Sequence, residues 1–335
     1  MLKPTNIKRT LARLALAFAA TAGPVPATAE GIQEPFREEF HKAMKGRTVV
    51  FVPVALAVDL AQGWLETMKN ELEPLGVSVT FRDANFNTSA GAQAIESLIN
   101  ERPDVLVVQN PDVQTYAKLL RKAEKAGIYV IQVNMRTSYD STAFIGVDWQ
   151  EMGEKVAAAS VKACAGKSGK VAVLQGALSA AASAYQIAGI ASVLAQNPDI
   201  KLVSNQAADW DASKAKSITQ TVLKQHPDIC AIMGFWDGQD IGAAAAIKEA
   251  GLTEDVFLVT SGGGEQKGTC DMVANGTFDL HYQYNVPNQG LAIADTIKWL
   301  IQSGIPAGTA KGSIYTTLQP ITKDNVEGAC WTLGQ

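Results

Sequence analysis

Polar and aromatic side chains recur where short apolar runs of this chain end. Asp59 follows a run at residues 48–54, Asn85 one at 77–81, Asn110 one at 105–109, and Asn134 with Arg136 one at 128–133. Further on, Tyr185 and Gln186 stand at a helix start, Trp210 follows the run at 200–206, and Trp236 with Asp237 follows that at 229–235. Gly262 comes after the run at 256–260, and Gln283 with Asn285 sits before the next helical pattern. Fixed amides and carboxylates hydrogen-bond hydroxyl groups, and indoles cover faces made of C–H bonds. That chemistry holds a small, uncharged, hydroxylated molecule. Trp210 and Trp236 weigh most, because a large aromatic directly after a strand lies over the strand ends rather than in the core. Asn85 and Asn110 have a second reading as helix caps or turn residues, Asp148 and Asp209 as supports of crossings or loops, and Trp64, on a helix face, as core.

Bond-making chemistry has no visible apparatus. His41, His226 and His281 are scattered without zinc spacing, and neither Ser-x-x-Lys nor Gly-x-Ser-x-Gly accompanies them, so no metal, cofactor or catalytic residue is expected. Gly166-Lys167-Ser168 looks like the end of a phosphate-binding loop, but Val161 stands where its first glycine belongs and the segment closes a helix. Gly262-Gly263-Gly264 follows a strand and leads into a helix. It reads as a tight turn, with backbone amides facing an anion as the alternative.

The elements that position these residues form two similar blocks. The first block has apolar runs at 48–54, 77–81, 105–109, 128–133 and 144–147, and the second at 170–174, 200–206, 229–235 and 256–260. Amphipathic patterns such as Trp64, Leu65, Met68 and Leu72 lie between them, each marking one buried helix face. Continuous Val/Ile/Leu strands joined by crossover helices predict parallel sheets covered on both faces, which bind ligands beyond the carboxyl ends of their strands. Pro103 and Pro227, in Glu101-Arg102-Pro103-Asp104 and Gln225-His226-Pro227-Asp228, end helices at equivalent points of the two blocks.

The first residues bear on where the protein works. Lys3, Lys8, Arg9 and Arg13 precede or enter an apolar run, Leu11 to Ala20, which relaxes into Ala27-Thr28-Ala29. This predicts a signal peptide over residues 1–29, cut before Glu30, and hence an exported protein. The polar residues 30–45 are expected to form a helix or arm. With 29 basic and 33 acidic residues the net charge is −4, and removal of the basic leader makes the mature chain more acidic, which leaves no basic stripe for nucleic acid. Cys164, Cys230, Cys270 and Cys330 predict two disulfides in an oxidising compartment, with three pairings open.

Six segments carry a resemblance covering nearly all of the mature chain. They are Asp83-Ala84-Asn85-Phe86-Asn87, Val107-Val108-Gln109-Asn110-Pro111, Val173-Leu174-Gln175-Gly176, Ala208-Asp209-Trp210-Asp211, Phe235-Trp236-Asp237 and Tyr284-Asn285-Val286-Pro287-Asn288-Gln289-Gly290. In order and spacing they resemble the periplasmic sugar-binding proteins of ABC transporters, in the ribose-binding-like branch. The resemblance implies an α/β fold of periplasmic binding protein type I, with two Rossmann-like lobes of parallel sheet joined by three hinge crossings. The crossings fall near 147–149, 282–285 and 314–317. One lobe then takes residues 46–147 plus 285–314, and the other 148–284 plus 315–335. All four cysteines lie in the second lobe, where the implied pairing is Cys164–Cys230 and Cys270–Cys330. A monosaccharide-sized, neutral, polyhydroxylated ligand would be held between lobes by hinge closure and passed by a monomer in the periplasm to an ABC permease. Delivery to a chemoreceptor or sensor kinase is the alternative, and an exported enzyme ranks last.

Departures from the ribose-type pattern narrow the ligand. Ala184-Tyr185 stands where relatives place an arginine, Trp236 where they carry asparagine before the aspartate, and Thr260-Ser261-Gly262-Gly263-Gly264 where they have an aspartate after the strand. Two ionic hydrogen-bonding groups are gone and an indole has arrived. A sugar alcohol is favoured, with a deoxysugar or furanone-like compound beside it.

Overall fold

The computed structural model describes residues 34–334. The leader read in residues 1–29, and residues 30–33 of the arm, lie outside them. Helix α1 (Pro35–Met44) occupies the rest of the arm, and Phe40, Ala43 and Met44 near its end pack on the core.

All nine predicted runs become strands. In the first block β1 (Thr48–Val52), β2 (Ser78–Phe81), β3 (Val105–Val108), β4 (Tyr129–Val133) and β5 (Ala143–Gly146) accompany α2 (Asp59–Leu72), α3 (Thr88–Glu101) and α4 (Ala117–Lys125). The second block contains α5 (Trp149–Ala163), β6 (Lys170–Gln175), α6 (Ala181–Ala195), β7 (Lys201–Ala207), α7 (Ala212–Gln225), β8 (Ala231–Gly234), α8 (Asp237–Glu249) and β9 (Phe257–Gly262). A π turn and the short α9 (Asp271–Ala274) lead to β10 (Leu280–Gln283), then α10 (Val286–Ser303), β11 (Gly312–Tyr315) and β12 (Gln319–Ile321).

Among the described residues these strands make two six-stranded sheets, β11-β5-β4-β3-β1-β2 and β12-β10-β9-β8-β6-β7. Every pairing is parallel except that of β12 with β10. The chain therefore passes between the sheets after β5, after β10 and after β11. Strands β10 to β12 had no counterpart among the apolar runs: β11 is exposed along its whole length and β12 has three residues, so neither leaves a pattern. Strand β7 departs from the two-sided burial expected of parallel sheet, because it is an edge strand with solvent on much of its surface.

One buried cluster runs through both sheets, including Phe51, Trp64, Ile131, Val173, Met233 and Tyr284. Each sheet has its own second cluster on the opposite face, around Leu106 and Tyr116 in one and Leu174 and Phe278 in the other. Trp64 is core, with its indole N–H donating to Gln289 Oε1 at 3.0 Å. The equivalence of the two proline-bearing segments has a reason. Asp104 accepts from Thr48 N at 2.8 Å and Asp228 from Lys170 Nζ at 2.8 Å, so each fastens the start of the first strand of its sheet.

Disulfides join Cys164 to Cys230 and Cys270 to Cys330, spanning 66 and 60 residues. The second holds the tail where Trp331 N donates to Gly264 O at 3.1 Å and its indole N–H to Gly263 O at 2.8 Å. The same indole lies over Gly63 of α2, so the tail touches both halves. No described helix is long and apolar enough to cross a membrane.

Candidate functional site

A cavity of about 340 Å³ lies beyond the carboxyl ends of the strands of both sheets. The first sheet contributes Val54, Phe86, Gln109 and Asn134, each following one of β1 to β4, and the second contributes Ser179, Trp210 and Trp236 after β6, β7 and β8. Trp149 and Tyr284, at the first two passages, close the back with rings 5.8 Å apart and at 73° to one another. At the edge, Val113 N donates to Ser179 O at 3.1 Å, a backbone bond joining the two halves beside the cavity residues Asp112 and Ser179.

Unusual backbone aims several of these side chains. Phe86, Asn134, Asp209 and Trp210 line the cavity with φ of 59°, 61°, 53° and 65°, a left-handed region that non-glycine residues enter at a cost and that gathers at ligand sites. Local hydrogen bonds hold them there. Asp83 Oδ1 accepts from Leu56 N and Asn85 N at 3.0 and 2.8 Å, while Phe86 N donates to Val54 O at 2.7 Å. Trp210 N donates to Gln239 Oε1 at 2.9 Å, and Trp149 Nε1 to Asn134 O at 2.7 Å. The rings of Trp210 and Trp236 meet edge to face, 6.4 Å apart at 76°. Glycine makes room for both: a Cβ on Gly176 would lie 2.0 Å from the Trp210 ring, and one on Gly238 2.5 Å from that of Trp236.

Of the side chains singled out from sequence, Asn134, Trp210 and Trp236 come together on the cavity wall. Asn85 is exposed next to it, Arg136 pairs with Asp140 at 2.8 Å, and Asn110 is buried with its amide donating to Gln132 Oε1 and Met135 O. Tyr185 and Gln186 fall in the second turn of α6 rather than at its start, Tyr185 exposed and Gln186 buried. Gln283 donates to Gln319 Oε1 at 3.0 Å and Ala329 O at 2.8 Å, tying the second passage to the tail. Asn285 caps α10, as Asp148 caps α5. The space a Cβ would fill on Gly262 is occupied by Asp237 Oδ2, and those on Gly263 and Gly264 by Leu60 with Val286 and by Gln283, so the three glycines serve close packing.

Asp59 and Asp237 flank the cavity through their neighbours Val58, Leu60 and Trp236, yet their carboxylates belong to a polar cluster beside it. His281 Nε2 lies 2.9 Å from Asp237 Oδ2 and 3.1 Å from Thr269 Oγ1. Glu265 accepts from Lys267 N and Gly268 N at 2.8 and 3.0 Å. Burial, then the Asp237 and Glu265 charges, push the Asp59 carboxyl up to about 7. Asp240 is pushed up to about 7 by burial, although Thr260 Oγ1, Gln239 Nε2 and Trp236 N all donate to it. Burial also holds the Tyr284 phenol well above its ordinary value, so it is a neutral hydroxyl. Among the described residues no group of His, Cys, Asp and Glu is arranged to hold a metal ion.

Phe86, Gln109, Trp149 and Tyr284 are among the cavity residues that escaped the sequence reading. Phe86 and Gln109 adjoin Asn85 and Asn110, so the loops were located but not the side chain that turns inward. Trp149 and Tyr284 fall within the crossings located from sequence, where aromatic residues next to a chain passage were the available signal.

A family model described as "Periplasmic binding protein domain" matches residues 49–304. The ribose import binding protein of Bacillus subtilis is 26% identical over 192 residues, 57% of this chain and 62% of that protein, so the chain spans less than two thirds of its length. The xylitol-binding protein of Mycolicibacterium smegmatis is 26% identical over 283 residues, 79% of this chain and 74% of that protein. An ABC transporter solute-binding protein from Burkholderia graminis, solved with D-arabinose, superposes with a TM-score of 0.77 at 22% identity, covering 86% of this chain and 99% of that one, and shares the two-lobed fold.

Proposed function

Because the chain belongs to the periplasmic binding protein domain family, we propose that it is a solute-binding protein that captures a small sugar-like ligand, a sugar alcohol or a small or deoxy sugar, and delivers it to an ABC permease. The observation that carries this reading is the cavity between the strand ends of both sheets, its edge bridged by Val113 and Ser179. The names of the ribose and xylitol relatives support the ligand class.

The two halves act as lobes, residues 46–147 plus 285–314 and 148–284 plus 315–335. Ligand contacting both stabilises the closed form, and the closed pair presents one composite face to the permease. Asn134, Trp210 and Trp236, with Phe86 and Gln109, make the contacts. Asp59, Asn110, Asp237, Gln283 and Asn285 shape the wall and the hinge from behind. A micromolar dissociation constant, about −8 kcal/mol, is within reach of a few hydrogen bonds plus stacking. The chain works as a monomer in the periplasm after loss of residues 1–29. No bond of the ligand is made or broken.

A thermal-shift screen across pentoses, hexoses, deoxysugars, short polyols and furanones tests the reading. A ligand at 100 times its dissociation constant adds about 2.7 kcal/mol of stability, which raises the midpoint measurably. If no member of the panel moves the midpoint, capture of a sugar-like ligand is wrong; if one is converted to product, the protein is an enzyme.

A further inference from the structure

Aromatic carbon makes up much of the cavity wall. Rings of Phe86, Trp149, Trp210, Trp236 and Tyr284 line it, and among the described residues no lysine, arginine or histidine does. Several of its polar atoms are already engaged. Asp112 accepts from Gln114 N, Thr115 N and the Thr115 hydroxyl, Asp209 is paired with Lys214, and Gln109 Oε1 accepts from Val54 N. Asn134 Oδ1 and Trp236 Nε1 are closed off from solvent without a partner. Besides those two, the amide nitrogens of Gln109 and Asn134, the hydroxyls of Thr88, Ser179 and Tyr284 and the indole N–H of Trp210 are the wall's uncommitted groups among the described residues.

Each ligand hydroxyl leaving water must find a partner in this wall or lose its hydrogen bonds, whereas C–H groups gain contact with the indoles. Resting on the reading of this protein as a capture protein, we propose that the cavity selects a hydroxyl-poor ligand. The chemical class is a deoxysugar, or a neutral molecule with a comparable methyl-bearing or C–H-rich face, in preference to fully hydroxylated aldoses and linear polyols. The corner formed by Trp210 and Trp236 is its specificity-determining wall. The corner rests on Gly176 and Gly238, where a Cβ would collide with the two rings, and Gln239 holds the Trp210 backbone.

The test is calorimetric titration of the full mature chain with matched compounds: D-ribose against 2-deoxy-D-ribose, L-galactose against L-fucose, L-mannose against L-rhamnose, and xylitol. The expected result is that at least one deoxy member binds about tenfold or more tightly than its parent, a difference of 1.4 kcal/mol, and more tightly than xylitol. In Trp236→Leu and Trp210→Leu that ratio falls to about threefold or less. Parent sugars or xylitol binding as tightly as every deoxy partner would overturn the inference and leave ligand capture standing. So would a preference unchanged in both variants, as to the wall. An absence of heat from every compound would overturn both.

Discussion

Asp59 and Asp237 are each the first residue of a helix, one in each half of the molecule, and their carboxylates converge on Gly268. A Cβ placed on that glycine would lie 3.9 Å from Asp59 Oδ2, from Asp237 Oδ2 and from Glu265 Oε2. Tyr284 and His281 are the other titratable groups of the cluster. Burial first, and then the neighbouring Asp237 and Glu265 charges, disfavour the ionised form, which is why the Asp59 carboxyl is raised to about 7.

A group that binds its proton more tightly folded than unfolded stabilises the fold while protonated. For Asp59 and Asp240 that contribution declines as pH climbs from the ordinary value of 3.8 toward the folded value of about 7. The lowered carboxyls of Asp112, Asp228 and Glu249 act only below their ordinary range, so they do not oppose this trend. The melting midpoint is expected to fall between pH 4.5 and 7.5. Asp59→Asn keeps the acceptor for Leu60 N and removes one charge, so it should raise the midpoint at pH 8 and flatten the slope, leaving the shares due to Asp240 and to Asp279, which burial also raises. Melts across that range check this, and an unaltered slope in the variant would clear Asp59 of responsibility.

Gly176 predicts a different loss. Its missing Cβ is the space beneath the Trp210 ring, and Gly176→Ala would place a carbon 2.0 Å from that ring. The ring must leave its edge-to-face position against Trp236, 6.4 Å away. Affinity for the strongest compound of the thermal-shift panel should drop about tenfold or more, or 1.4 kcal/mol. The near-ultraviolet dichroism of the indoles should change even without ligand. An unaltered spectrum with unaltered affinity would show that Trp210 had not moved.

The disulfide between Cys270 and Cys330 closes a segment of 60 residues, worth about 4 kcal/mol in the chain-entropy account. It also sets Trp331 against Gly63, Gly263 and Gly264. The paired variant Cys270→Ser/Cys330→Ser should therefore unfold at clearly lower urea than the parent and expose Trp331 to a fluorescence quencher before global unfolding. Coincident urea curves for the two proteins would contradict the account.

How much of this was legible in the residues follows from which physical signals are local. The central strands announced themselves because a run such as Val105 to Val108 is buried on all sides and must be apolar throughout, whereas the edge strands β2 and β7 are largely exposed. Exposed β11 carries no such demand, and its partner β5 was found while it was not. At the cavity, indoles after strands gave Trp210 and Trp236, and the loop after β4 gave Asn134. Asp59, Asn110 and Asp237 have the right chemistry in the right loops, yet their polar ends turn to Leu60 N, Gln132 and His281. That choice rests on neighbours distant in the chain, and a loop dipeptide does not encode it. Phe86 shows the converse: its position depends on a left-handed backbone set by Asp83 and Val54.

Helix packing in the second half gives a last prediction that is independent of any ligand. Helices α5 and α6 approach so closely that Gly153 faces the backbone oxygen of Gln186 and Gly189 that of Gln150, each 2.1 Å from where a Cβ would stand. The contact is reciprocal, so a methyl group on either helix meets rigid backbone rather than a side chain able to swing aside. Alanine is intrinsically better than glycine in a helix by about 1 kcal/mol. Overpacking costs about 1–3 kcal/mol, and at this crossing it exceeds that gain because both partners are main chain. Gly153→Ala and Gly189→Ala should each lower stability by up to about 2 kcal/mol in urea unfolding. The double variant should cost less than the sum, since the first methyl already separates the helices. Stabilisation by either single change would mean that propensity outweighs the crossing, and that the two helices have room to part.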